Sequence, residues 1–419
     1  MNYINNEVEK TKNKVKIHQL INFDAKPETL VKVSIVVPVC NVELYLRECL
    51  DSCVNQTLKD IEIICVNDGS KDSSLQILME YAAADNRVKV IDKDNAGYGH
   101  TMNISMDMAQ GEYIGIVESD DFVELDMYES LYNIAKRNSL DFVKADFNRF
   151  VYDENGNLKK SPNRVAGRYP ELYNKVLNPK DKPIVFNFVM QTWSGIYSRE
   201  FLQKNNIRNH ETPGASYQDN GFWFQTFMFA DRIYFYDKQF YMNRRDNPNS
   251  SVNNREKVYC MNEEYAFIKN ILLGYPALYD KFKYAYTRKK FANYLFTYRR
   301  IGDEFKHEYV QSIQAELLKA VSDNEIKWDI IDPVEQVELR MILNNPDDFE
   351  ELEKWKNTDD KNDAPESKVK VSVIIPVYNG AQYLDECLKS VANQTLKNIE
   401  VICIDDGSED ESLSILNKY

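Results

Sequence analysis

The stretch VKVSIVVPVCNVELYLRECLDSCVNQTLKDIEIICVNDGSKDSSLQIL begins at Val31, and VKVSVIIPVYNGAQYLDECLKSVANQTLKNIEVICIDDGSEDESLSIL begins at Val369. The two align without a gap and agree at more than half of their positions. Such a repeat marks one supersecondary unit used twice. Each copy holds two β-branched runs, in the first VKVSIVVPV and IEIICV, too continuous for half-exposed strands; they read as strands covered on both faces. Between them Leu44, Leu46, Leu50 and Val54 recur at helical spacing. Pro38 matches Pro376, Asn41 matches Asn379, and Asp68 matches Asp406.

Past the first copy the alternation continues. Ser73 to Ala84 reads as a helix, RVKVID as a third strand, Gly97 to Ala109 as a helix, and EYIGIV as a fourth strand. Strands alternating with helices predict an α/β fold with a mostly parallel sheet and right-handed crossovers. Ligands of such sheets sit at strand carboxyl ends. Asp68 and the group Glu118, Asp120 and Asp121 all fall there, so they should face one cleft. The domain reading is an N-terminal extension (1–30), an α/β domain (31–255), an aromatic-rich helical region (256–345), an acidic linker (346–368), and a partial second α/β module (369–419). The second copy stops before any counterpart of ESDD, which reads as a truncated piece of a longer two-module protein.

A net charge of -14 and a pI near 5.0 argue against a nucleic-acid partner. No apolar run approaches the roughly 20 residues of a membrane span. The polar start MNYINNEVEKTKNKVKIHQL lacks a signal peptide's apolar core, so a cytoplasmic location is expected. The N-terminal and middle helices leave room for docking at the inner membrane face or for self-association. Seven cysteines, an odd number, read as free thiols. Four histidines argue against a histidine-built metal centre.

Three carboxylates in the four residues ESDD repel one another unless a cation joins them. Hard divalent ions prefer such oxygen ligands and keep positions open for phosphate. The alternative is helix capping by Asp120 or Asp121. In VNDGS, Asp68 before Gly69 can accept from a nucleobase imide or ribose hydroxyl, or close an Asx turn.

In order, VSIVVPVCN, VNDGS, DNAGYGHTMN and AQGEYIGIVESDD resemble the nucleotide-sugar-binding half of a family 2 glycosyltransferase of the GT-A fold, over roughly residues 31 to 250 and again from 369. The resemblance implies a UDP-sugar donor, Mn²⁺ or Mg²⁺, and inverting transfer of a hexose or N-acetylhexosamine to a glycan or glycoconjugate hydroxyl in polysaccharide or capsule assembly. It implies that Pro38, Val39, Asn41 and Asp68 hold the uridine and that Asn95 and Gly97 line the donor. Glu118-Ser119-Asp120 stands where the family has Asp-x-Asp, with Glu in the first place; Asp120 is the first metal ligand expected and Asp121 the second. Asp219 is the expected general base, with Gln218 where an acid is usual. Arg244 or Arg245 reaches the diphosphate, or both are simply exposed. Trp193 should stack on a sugar or join the core, and His100 lies near the donor loop. A decayed, non-catalytic sugar-binding module is the alternative. A pyrophosphorylase is disfavoured because PVCNVELYLREC lacks a glycine-rich phosphate loop.

Overall fold

A computed structural model describes residues 15–24, 30–215, 217–248, 250, 254–357, 371–396 and 399–419. They divide into two compact units, Met1–Asn344 and Asn345–Tyr419.

The first unit runs β1 (Ile17–Ile21), β2 (Val33–Val39), α1 (Leu46–Val54), β3 (Ile61–Asp68), α2 (Ser74–Ala84), β4 (Val88–Lys93), α3 (Tyr98–Met108), β5 (Tyr113–Ile116), β6 (Phe122–Val123), α4 (Met127–Asn138), β7 (Phe142–Tyr152), β8 (Leu158–Asn163), β9 (Val176–Leu177), β10 (Gly195–Ser198), α5 (Arg199–Lys204), α6 (Gln218–Phe229) and β11 (Ile233–Arg244). These strands form one sheet in the order β1-β4-β3-β2-β5-β10-β7-β11-β6, with β8 on β7 and β9 on β11. The run β4-β3-β2-β5 is parallel, as the strand–helix alternation predicts. Every residue of β2 and β3 is buried. Pro38 fits inside β2 because pairing with β5 stops at Val36 and Ile116, so its missing N–H breaks no bond on that side. Residues 17–21, read as part of an extension, instead add an antiparallel edge strand to β4.

Four helices follow: α7 (Cys260–Leu273), α8 (Pro276–Arg300), α9 (Asp303–Ser322) and α10 (Pro333–Asn344). They seat on α6 through aromatic contacts. Phe224 meets Tyr286 with ring centroids 5.9 Å apart, and Phe186 lies between Trp223 at 5.8 Å and Phe282 at 4.8 Å. No described helix is long and apolar enough to cross a membrane. All seven cysteines are free thiols.

The second unit holds α11 (Pro346–Asn357), β12 (Val371–Val377), α12 (Ala381–Ala392), β13 (Ile399–Asp405) and α13 (Ser412–Leu416). The expected linker is therefore helical at its start, and residues 358–368 lie outside the described residues. β12 and β13 pair in parallel, Val371 with Ile399 through Val377 with Asp405. This is the register of β2 and β3, where Val33 meets Ile61 and Val39 meets Asn67. The small core is Val377, Leu384 and Leu388.

Candidate active site

The carboxyl ends of β2 and β3 are joined by side-chain bonds to backbone. Asn41 takes a left-handed conformation (φ 52°); its N–H donates to Ser70 Oγ at 3.1 Å and its Oδ1 accepts from Lys71 N–H at 2.7 Å. Pro38 and Val39 are buried in the strand. Asp68 is 4% exposed, and its carboxylate is filled from within. It pairs with the fully buried Lys93 ammonium and accepts the N–H groups of Ala96 at 2.8 Å and Gly97 at 3.0 Å. Asn95 donates to the Asp68 carbonyl at 2.8 Å. Asp68 thus shapes the 94–97 loop, where an open uridine acceptor was expected. Gly97 (φ 89°) is required there, since a Cβ would lie 2.4 Å from the Thr212 carbonyl. His100 is buried with an unpartnered Nδ1 and lies off the cavity described below.

The strand β5 ends in a tight turn, with Asp121 N–H donating to the Glu118 carbonyl at 3.0 Å. The turn sends the acids in different directions. Ser119 is buried. Asp121 points back into the protein, where it accepts Arg244 N–H at 2.6 Å and Asn243 Nδ2 at 3.1 Å. Burial, then the neighbouring Asp120 charge, pushes its carboxyl well above the usual range. Asp120 accepts from Asn247 Nδ2 at 2.8 Å through one oxygen. Glu118 accepts from Tyr98 OH at 2.8 Å, and burial raises its carboxyl to about 8, with Asp120 and Asp219 adding to the rise. Neither Asp120 nor Asp121 caps a helix, because α4 begins only at Met127 with Asp126 before it.

This answers which residues fit a divalent cation. One oxygen of Asp120 and one of Glu118 have no protein donor among the described residues, and both residues line the cavity. That is a hard-oxygen donor set with room for further ligands. Asp121, expected as the second ligand, is held by β11 instead.

The ribbon β7/β11 sorts the arginines by alternation. Arg244 pairs in register with Phe150, and its Nε donates to the Asp120 carbonyl at 2.8 Å. Its guanidinium lies over Tyr45 and Phe150, at 4.6 and 4.7 Å from the ring centroids, and is bound to Glu48 and Asp246. It is not free to reach a diphosphate. Arg245 and Arg149 flank Asn243 on the other face, line the cavity, and have no ion-pair partner among the described residues. Burial and the Arg245 charge together depress the Arg149 proton affinity.

Asp219 enters from the opposite wall, in the first turn of α6. It does not act as the N-cap, a position held by Tyr217. Burial pushes its carboxyl up to about 7, with Glu264 adding to the rise and Lys144 opposing it. Lys144 is itself buried and brought down to about 7; its ammonium donates to Gln191 O and to Tyr197 OH. Glu118, Asp120, Asp219, Arg149 and Arg245 all line one cavity of about 620 Å³. Lys289, Asn293 and Phe296 of α8 supply its far wall. Trp193 lines it too, stacked on Tyr241 at 4.2 Å and edge-on to Phe147. Pro38, Val39, Asn41, Asp68, Asn95 and Gly97 lie outside that lining. Sequence reasoning missed Arg149, Lys144 and the α8 wall; a lysine and an arginine within the strand-like FVKADFNRF were the signal available.

Comparison with known proteins places this geometry. The model for "Glycosyl transferase family 2" matches residues 34–204 and 372–419, that is, the stretch from β2 through α5 and the repeated module. The uncharacterized glycosyltransferase EpsJ of Bacillus subtilis is 36% identical over 220 residues, covering 52% of this chain and 62% of EpsJ. Glycosyltransferase GlyG of Streptococcus pneumoniae serotype 4 is 32% identical over 219 residues, 51% of this chain and 70% of GlyG. The chain thus spans less than two thirds of EpsJ's length. Among solved structures, residues 1–349 of S. aureus TarS in complex with UDP-GlcNAc superpose with a TM-score of 0.55 at 18% identity, over 78% of this chain and 91% of that one, which establishes a shared fold. With the matched segments falling on the strands that carry Asp68 and the Glu118–Asp121 turn, this chain is a member of glycosyl transferase family 2.

Proposed function

We propose that the chain is an inverting glycosyltransferase that moves a hexose or N-acetylhexosamine from a UDP-sugar to a hydroxyl of a glycan or glycoconjugate acceptor. The observation that carries this reading is the placement of Asp219 across one cavity from Glu118 and Asp120. The UDP-GlcNAc held by the TarS neighbour supports a UDP-sugar donor.

In this reading the uridine lies over the carboxyl ends of β2 and β3. Pro38 and Val39 serve through their backbone, and Asn41, Asp68, Asn95 and Gly97 shape the loops around it. Asp120 with Glu118 would hold Mn²⁺ or Mg²⁺, which when bound offsets charge on the departing diphosphate. Arg245 and Arg149 offer two guanidiniums suited to phosphate oxygens. The acceptor enters along the α8 wall. Its hydroxyl oxygen attacks the anomeric carbon, the bond from that carbon to the diphosphate oxygen breaks, and UDP leaves with the electron pair. The hydroxyl proton passes to the Asp219 carboxylate, whose raised proton affinity suits it to the transfer near neutral pH. One displacement inverts the anomeric centre.

The test is UDP release from a panel of UDP-sugars with and without Mn²⁺. Turnover should need the ion and be lost in Asp120→Ala and Asp219→Asn. Equal turnover by wild type and Asp219→Asn would reject the assignment.

A further inference from the structure

We infer that Glu264, in the helical region and outside the residues the family model matches, is a positioning residue for Asp219: its carboxylate binds the backbone of the helix that presents Asp219 and adds a negative charge behind it. The inference rests on the reading of Asp219 as the base.

Helix α6 lacks a cap of its own. Tyr217 at its start has a left-handed backbone (φ 67°) and makes no side-chain cap bond. Glu264, on α7 and 1% exposed, holds this end of the helix from outside: Oε1 accepts Gly221 N–H, two residues past Asp219, at 2.8 Å. A Cβ at Gly221 would lie 2.2 Å from that oxygen, so only glycine admits the approach. The other oxygen faces His210 Nδ1 at 3.1 Å. His210 in turn stacks flat on Phe267 of α7, with ring centroids 4.4 Å apart.

The same segment reaches the donor side. Asn103 of α3 accepts Asn209 N–H at 2.9 Å and donates to the Asn209 carbonyl at 3.0 Å. The His210 carbonyl packs so closely on Gly99 that a Cβ there would be 1.9 Å away. One chain of contacts therefore runs from the helix behind the 94–97 loop, through residues 209–210, to Glu264 and α6. The charged and titratable groups acting on Asp219 are Glu264 from α7, Lys144 from β7, Tyr98 from α3, Glu118 from the β5 turn, and Tyr217 and Tyr265. Among those acting on Asp219 itself, Glu264 is the principal negative one, second only to burial in raising its proton affinity.

The experiment compares wild type, Glu264→Gln, Glu264→Ala and Asp219→Asn. Glutamine keeps an oxygen for Gly221 N–H but removes the charge. UDP release is followed against pH with whichever of UDP-glucose or UDP-N-acetylglucosamine wild type turns over. In Glu264→Gln the acid limb of kcat/KM should move to lower pH, so the rate on the acid side rises several-fold while the alkaline plateau and Tm hold. In Glu264→Ala, kcat should fall at every pH and Tm should drop. A second measurement needs no donor: the pH at which the stability gap between chains with and without the Asp219→Asn change levels off should fall, and the gap itself shrink, in the Glu264→Gln background. An unmoved acid limb and a stability gap that levels off at the same pH and size, with Asp219→Asn inert, overturn the role of Glu264 and leave the base standing. An active Asp219→Asn overturns both.

Discussion

Replacing Asp219 by Asn should make the protein inactive and, at alkaline pH, more stable. The carboxyl is raised from its ordinary 3.8 to about 7 by burial, with Glu264 nearby. A shift of one pH unit is worth about 1.4 kcal/mol, so the ionised group costs the fold at most about 4 kcal/mol. Asp219 is half-buried and borders an open cavity, and screening reduces this to roughly 2–4 kcal/mol. The sign follows from linkage. The unfolded chain releases this proton first, so the folded state loses ground as pH rises from about 4 to about 7, and the penalty is complete above that. Asparagine carries no such penalty. Wild type and Asp219→Asn should therefore unfold at the same urea midpoint near pH 4 and separate progressively up to pH 8, with the variant more stable. Trp223, buried one turn further along α6, reports the transition by fluorescence. A gap that does not change with pH, or a wild type that is the more stable at pH 8, would refute the reasoning.

The two neighbouring arginines should separate cleanly. Arg244→Ala removes two ion pairs and three aromatic contacts and should lower stability by roughly 2–4 kcal/mol in chemical denaturation; Arg245→Ala should leave stability within about 0.5 kcal/mol and weaken UDP binding roughly tenfold by calorimetry. Gly97→Ala forces a side chain into a left-handed site against the Thr212 carbonyl and should destabilise by about 1–3 kcal/mol, with loss of UDP binding read in the same titration. Asp406 in the second unit is exposed, and no counterpart of the ESDD cluster follows it in this chain, so Asp406→Ala should leave turnover unchanged where Asp120→Ala abolishes it; the reverse pattern would move the active site to the second unit.

The parallel half of the sheet was legible because burial on both faces writes itself as unbroken β-branched runs, and because the repeat confirmed where each element starts. The other half was not. β7 carries a fully buried Lys144 and an Arg149 within one strand, a pattern that resembles no half-exposed strand until the cavity beside it is known. The edge strand β1, IHQLI, is short and does not alternate apolar with polar residues, so it does not announce itself. At the site, sequence identified the acids but not their directions. Asp120 and Asp121 both line the cavity, and which carboxylate stays open is decided by the donors from β11 that Asp121 takes. Arg244 and Arg245 differ only in strand parity. The role of Asp68 depends on Lys93, a partner 25 positions away whose charge nothing local reveals.

The loop between β2 and α1 is fastened by Ser70, Asp72 and Ser74, which bind the N–H groups of Asn41, Glu43 and Val42. In the second unit Ser408, Asp410 and Ser412 bind Asn379, Ala381 and Gly380 at nearly the same distances, although the strands there are mostly exposed where β2 and β3 are wholly buried. The knot therefore owes its form to its own threads and nothing to the fabric around it. A motif tied in this way can be duplicated, carried to a new neighbourhood and still present the same contour, which is how one loop shape comes to be written twice in a single polypeptide.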